Sequence, residues 1–128
     1  MPVYNTERYV RECLDSAFFH NTKYSVFVSV VNDGSTDSCA KILEEYESRF
    51  NGEILTQENA GLSAARNKAL EHIRGRYVMF LDSTDVLPDG AIDALVDLAD
   101  KTDADIVDGN YRTFNDINRK NVILIPRD

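Results

Sequence analysis

The chain has 128 residues, the length of one domain, and its 43% hydrophobic and 28% charged content marks a folded globule rather than a disordered segment. Its 22 acidic and 14 basic residues give a formal charge of -8, which excludes a nucleic-acid backbone or an anionic membrane as a partner by bulk electrostatics. There is no apolar run of roughly 18 to 20 residues to span a bilayer and no basic-then-apolar leader, so a cytoplasmic protein is expected.

Asn5 and Thr6 are placed to cap a helix in which Tyr9, Val10, Cys13, Leu14, Ala17 and Phe18 recur at helical spacing. Val26 to Val31, rich in β-branched residues and apolar on both faces, reads as a parallel strand covered on both sides. It runs into Asn32-Asp33-Gly34-Ser35-Thr36-Asp37, a dense turn signal that also supplies helix caps. A second helix puts Cys39, Ile42, Leu43, Tyr46 and Phe50 on one face, and Ile54 and Leu55 mark a short strand.

Ala60 to Ile73 reads as a third helix with Leu62, Ala65, Ala69, Leu70 and Ile73 inward, ending near Gly75. Tyr77 to Leu81 is expected as a second buried strand that leads straight into Asp82-Ser83-Thr84-Asp85. Pro88 opens a fourth helix with Ile92, Leu95, Val96 and Ala99 inward. Ile106 and Val107 read as a further strand, Tyr111 to Asn121 as a polar loop, and Val122 to Ile125 as a last strand. Cys13 and Cys39 lack any metal-ligand spacing and are expected buried and reduced, while His20 and His72 stand at helix ends, where a cation is favoured.

Strict alternation of strands and helices predicts an α/β fold: an open, mostly parallel sheet with helices on both faces. Ligands of such sheets bind beyond the carboxyl ends of the strands, and there the two most strand-like runs end in carboxylates, Asp33 and Asp82/Asp85. Grouped carboxylates suit a hard cation such as Mg²⁺ or Mn²⁺ that also holds substrate phosphates, or else they only cap turns and helices. Asp37, in the first turn of a helix, reads as a cap. In Gly61-Leu62-Ser63-Ala64-Ala65-Arg66-Asn67-Lys68, small residues at a helix start leave backbone N–H groups accessible, and Arg66 and Lys68 add positive charge suited to a diphosphate.

Four stretches in order carry a resemblance. They are Pro2-Val3-Tyr4-Asn5, Val31 to Asp37, Glu58 to Asn67 and Phe80-Leu81-Asp82-Ser83-Thr84-Asp85. In wording and spacing they resemble the nucleotide-binding half of glycosyltransferase family 2, enzymes of the GT-A fold, from Pro2 to about Gly109. The resemblance implies transfer of a sugar from a nucleotide-diphosphate donor, a uridine diphosphate sugar, to an acceptor hydroxyl, with inversion, in polysaccharide or glycan synthesis. It implies base contacts for Pro2 and Tyr4, Tyr4 by stacking. Asp33 is implied to bond the uracil ring, Arg66 to lie near ribose or phosphate, and Asp82 to lie on the ribose or metal side. Residues 1–109 then form the nucleotide-sugar half, and 110–128 a loop and the start of an acceptor half.

The sequence departs from the family pattern at three points. Thr84 stands at the second acidic position of the usual Asp-Ser-Asp-Asp motif, so the metal is assigned to Asp82 and Asp85 at reduced affinity. Asn32 stands where the family often has aspartate. The carboxylate that acts as general base in inverting members has no counterpart after Gly109, so no catalytic residue is assigned and this chain alone is expected to be inactive. A non-catalytic nucleotide-sugar-binding module is the alternative. A phospho-acceptor receiver domain fits poorly, since Val3-Tyr4-Asn5 offers no acidic pair. An unpaired sheet edge is the expected place for a homodimer contact.

Overall fold

The computed structural model describes residues 1–109, 112–113 and 123–124. Pro2–Val3 form β1, followed by helix α1 (Val10–Phe18) and the central strand β2 (Val28–Asp33). Helix α2 (Cys39–Glu44), strand β3 (Gly52–Gln57), helix α3 (Leu62–Leu70) and helix α4 (Ala91–Thr102) come next. The three strands form one parallel sheet in the order β1-β2-β3, with Val3 opposite Asn32 and Asp33 opposite Gln57. Parallel neighbours require helical crossovers, which α1 and α2 supply.

Helices lie on both faces of this sheet because β2 is apolar on both. Val30 joins Val10, Cys13 and Leu14 of α1 and Ile42 and Leu43 of α2 in one buried cluster. Its neighbour Val31 is equally buried and points to the opposite face, where α3 lies against β2 with its own buried Ala65. Tyr46 closes the first face, fully packed, with its Oη donating to Asp15 Oδ1 at 2.7 Å. Phe18 stacks on Phe50 with ring centroids 3.7 Å apart.

The chain divides into two compact units, Met1–Asp93 and Ala94–Asp128. Within the second, β4 (Arg112–Thr113) pairs antiparallel with β5 (Ile123–Leu124). That pairing puts a strand at Arg112–Thr113, inside the stretch expected as a loop, and agrees with a strand near 122–125. The rest of that expected loop lies outside the described residues.

Several expected elements are corrected. Tyr77 to Leu81 is not a buried strand: it pairs with no strand among the described residues, and Tyr77, Val78, Met79 and Phe80 are 38 to 55% exposed. The segment has strand composition, but among the described residues no strand offers it a ladder. Ile106 is 85% exposed and forms no strand either. Helix α3 is shorter than expected and buries only Ala65, while Leu62, Leu70 and Ile73 face outward. Helix α1 begins at Val10 without a side-chain cap, because Asn5 and Thr6 are engaged elsewhere.

Candidate functional site

The carboxyl end of β2 is shaped by short polar side chains. Asn32, buried at the strand end, accepts the Ser35 N–H on Oδ1 at 3.0 Å and so closes the turn. An amide oxygen accepts this bond as a carboxylate would, which accounts for asparagine at a position often acidic in the resembling family. Asn5, in the left-handed region at φ 50°, accepts the Thr36 N–H on Oδ1 at 2.8 Å. Asp37 accepts the N–H groups of Glu7 and Cys39, at 3.0 and 2.9 Å, and the Glu7 carboxylate accepts the Ser38 N–H at 2.8 Å. Asp37 is therefore a cap at the start of α2, as its position in the sequence suggested.

Asp33 does something the sequence did not reveal. Its buried carboxylate accepts Gln57 Nε2 at 2.7 Å and the Ala60 N–H at 2.9 Å on Oδ1, and the Gly61 N–H at 2.9 Å on Oδ2. Asn59 Nδ2 adds a bond to the Asp33 carbonyl at 3.1 Å. Burial acts to raise the carboxyl pKa, but the bonds from Ala60, Gln57 and Gly61 outweigh it and hold the group below its ordinary value. Asp33 is thus an ionised anchor for the 57–61 loop. Gln57 and Asn59 were missed because their roles depend on strand register: Gln57 is a polar strand end directly opposite Asp33.

A cleft of about 400 Å³ opens at this end of the sheet. Its wall includes Pro2, Tyr4, Asp33, Asn59, Gly61, Leu62, Asp82 and Thr84. The structure therefore brings four of the expected residues, Pro2, Tyr4, Asp33 and Asp82, to one wall. Tyr4 is 48% exposed and lies on this wall. Arg66 reaches the site through Asp82: Nη2 donates to Asp82 Oδ1 at 2.6 Å, and the guanidinium lies 5.7 Å from the Phe80 ring centroid. Arg66 Nε is buried without a hydrogen-bond partner. Lys68 turns away and donates to the Thr56 carbonyl at 3.2 Å.

The acidic turn is held from behind. Thr6 Oγ1 donates to buried Ser83 Oγ at 3.0 Å, Cys13 Sγ donates to the Asp82 carbonyl at 3.3 Å, and the Asp85 N–H donates to the same carbonyl at 2.9 Å. Thr84 belongs to the cleft wall, whereas Asp85 does not. Burial and the Asp82 charge both push the Asp85 carboxyl above its ordinary value. Among the described residues, no three His, Cys, Asp or Glu side chains gather as a metal site. Two carboxylates fit a hard cation only if another molecule supplies further oxygens. Cys13 and Cys39 are buried free thiols, as expected, and burial raises the Cys13 thiol to about 12. His72 is not simply a helix-end cation, because its Nδ1 meets Glu53 Oε2 at 3.0 Å.

The chain is similar to known proteins. The family model for glycosyl transferase family 2 matches residues 1–125. Glycosyltransferase GlyA of Streptococcus pneumoniae is 45% identical over 118 residues, covering 91% of this chain and 17% of that protein. The poly(ribitol-phosphate) beta-glucosyltransferase of Bacillus spizizenii is 31% identical over 119 residues, covering 90% of this chain and 19% of its own length. The crystal structure of S. aureus TarS 1–349 in complex with UDP superposes with a TM-score of 0.70 at 32% identity, over 78% of this chain and 30% of that one. The same protein in complex with UDP-GlcNAc gives a TM-score of 0.69. The chain spans a fifth or less of the length of the two enzymes just named. No helix among the described residues is long and apolar enough to cross a membrane.

Proposed function

The chain belongs to glycosyltransferase family 2, and we propose that it binds the donor of a sugar transfer, a uridine-diphosphate sugar, in the cleft at the carboxyl ends of β1 and β2. The observation that carries this reading is one wall bearing the exposed Tyr4, the Asp33 anchor and Asp82, the partner of Arg66. A volume of about 400 Å³ suits a nucleoside. Tyr4 stacks on the base beside Pro2, Asp33 accepts the ring N–H, and the diphosphate lies toward Asp82 and Arg66. The complexes of TarS with UDP and UDP-GlcNAc support the same donor class. The reaction we assign is inverting transfer to an acceptor hydroxyl in cytoplasmic polysaccharide synthesis.

Calorimetric titration with uridine diphosphate tests this. Tyr4→Ala should weaken binding about tenfold, because base stacking on an aromatic side chain is worth about 1 to 3 kcal/mol by alanine substitution. Equal affinity of wild type and Tyr4→Ala would remove the base from this wall.

We include Mg²⁺ or Mn²⁺ in the proposal, which Asp82 on the cleft wall would hold together with diphosphate oxygens, while Asp85, outside that wall, would act through water. When bound, the cation compensates charge on the leaving diphosphate, in a protein whose own charge is -8. Thr84 contributes no anionic oxygen although it lines the cleft. Thr84→Asp should therefore tighten Mn²⁺ binding at least several-fold in the presence of uridine diphosphate, and Asp82→Asn should weaken it. Tighter binding by the wild type than by Thr84→Asp would show that position 84 does not face the cation.

A further inference from the structure

The bonds of Asp33 divide its two oxygens unequally, and the division points at a residue behind the cleft. Oδ1 takes two short bonds, from Gln57 Nε2 at 2.7 Å and the Ala60 N–H at 2.9 Å. Each carboxylate oxygen has two lone-pair sites, so Oδ1 is filled. Oδ2 takes the Gly61 N–H at 2.9 Å and only a distant approach of Asn59 Nδ2 at 3.4 Å. Gly61 and Asn59 belong to the cleft wall, and Gln57 does not. The under-used acceptor is thus the oxygen on the cleft side.

Register explains why Gln57 performs this task. Asp33 and Gln57 are direct partners in the parallel β2–β3 ladder, so their side chains leave the sheet on the same face. The carboxamide has one possible orientation there, since its oxygen turned toward Oδ1 would set acceptor against acceptor. Ala60 and Gly61 hold the carboxylate from a loop, whereas Gln57 holds it from a strand.

We propose that Gln57 is a positioning residue for nucleobase selection: by occupying Oδ1 it directs Oδ2 of Asp33 into the cleft as an acceptor, favouring a base that presents a ring N–H. Uracil presents such an N–H, while the matching ring nitrogen of cytosine is itself an acceptor and meets Oδ2 unfavourably. The inference rests on the cleft being the uridine diphosphate site proposed above. The ionised state of Asp33, maintained by its three short bonds, suits an acceptor-only role.

The test is calorimetry of the wild type, Gln57→Met and Gln57→Glu with uridine diphosphate and cytidine diphosphate in turn. The wild type should prefer the uridine compound by about tenfold or more, the discrimination expected when one polar contact is matched or mismatched. Gln57→Met, similar in length but without a donor, leaves the carboxylate held by the loop alone, no longer fixed to the strand, and should bring the preference within about threefold. Gln57→Glu places a second carboxylate at hydrogen-bond distance from Oδ1, and like-charge repulsion displaces the Asp33 carboxylate from its place. Its preference should likewise come within about threefold.

A ratio of dissociation constants does not depend on how much of a sample is folded, so a purely structural role would lower stability and leave the ratio unmoved. Retention of the wild-type preference in either variant overturns the assignment of Gln57 while leaving the cleft as the nucleotide site. Absence of uridine diphosphate binding by the wild type overturns the cleft reading, and this inference with it.

Discussion

Asp33→Ala is expected to lower the stability of the protein by about 3 kcal/mol, measured by urea denaturation, because it strands the donors of a whole loop. The substitution removes the acceptor of Gln57 Nε2 and of the Ala60 and Gly61 N–H groups at once. A bond to an ionised acceptor contributes about 1.5 to 3 kcal/mol, and a buried donor left unpaired costs about 1 to 3 kcal/mol. The full sum is not expected, since Ala60 and Gly61 are exposed and water can reach them once the loop relaxes. Asp33→Asn should be less damaging, because it keeps one oxygen, yet its NH₂ must face a backbone N–H. Uridine diphosphate affinity should fall in both, through the lost base contact and the released loop. A stability loss under about 1 kcal/mol for Asp33→Ala would mean that water replaces the carboxylate without penalty. The pH dependence has a definite sign. The folded pKa lies below the ordinary aspartate value, so this stabilisation is complete above that ordinary value and is lost as pH falls through the folded pKa.

The parts of the fold legible in the sequence were those set by local pattern. The helical spacing of Val10, Cys13, Leu14 and Ala17 and the β-branched run ending at Val31 became the two sides of the core. The carboxylates at strand ends were legible as well, and Asp33 and Asp82 do meet on one cleft wall. Three features were not legible, each for the same kind of reason. Tyr77 to Leu81 has strand composition, but a strand needs a ladder, and none pairs with it among the described residues. Leu62, Leu70 and Ile73 have helical spacing, but spacing shows only that a face is apolar, not that anything covers it. Gln57 has no motif of its own, and its meaning comes from the register that sets it against Asp33. Non-local partners decide all three.

The same non-local logic makes Gly34→Ala the most informative backbone substitution. Gly34 follows Asp33 at φ +70°, a region where a side chain costs about 1 to 2 kcal/mol. A Cβ there would stand 2.8 Å from the Asn59 backbone nitrogen and 3.4 Å from its Cα and Cβ. The obstacle is backbone, and it belongs to the loop that Asp33 holds through the next two N–H groups, so it cannot swing aside as a side-chain tip would. Overpacking of this kind costs about 1 to 3 kcal/mol, which brings the expected loss to about 2 to 5 kcal/mol. Gly90 provides the control: its φ is +77°, and a Cβ there meets nothing within 4 Å. Gly90→Ala should therefore lose only the conformational part, about 1 to 2 kcal/mol. The difference between the two variants measures how tightly the 57–61 loop is clamped on the turn after β2. Combining Gly34→Ala with Asp33→Ala should cost less than the sum of the single losses, because a loop already released from the carboxylate can yield to the added methyl. Equal losses for Gly34→Ala and Gly90→Ala would mean that the loop gives way freely. Asp33 would then act on the ligand alone, rather than on the loop that shapes the ligand's cleft.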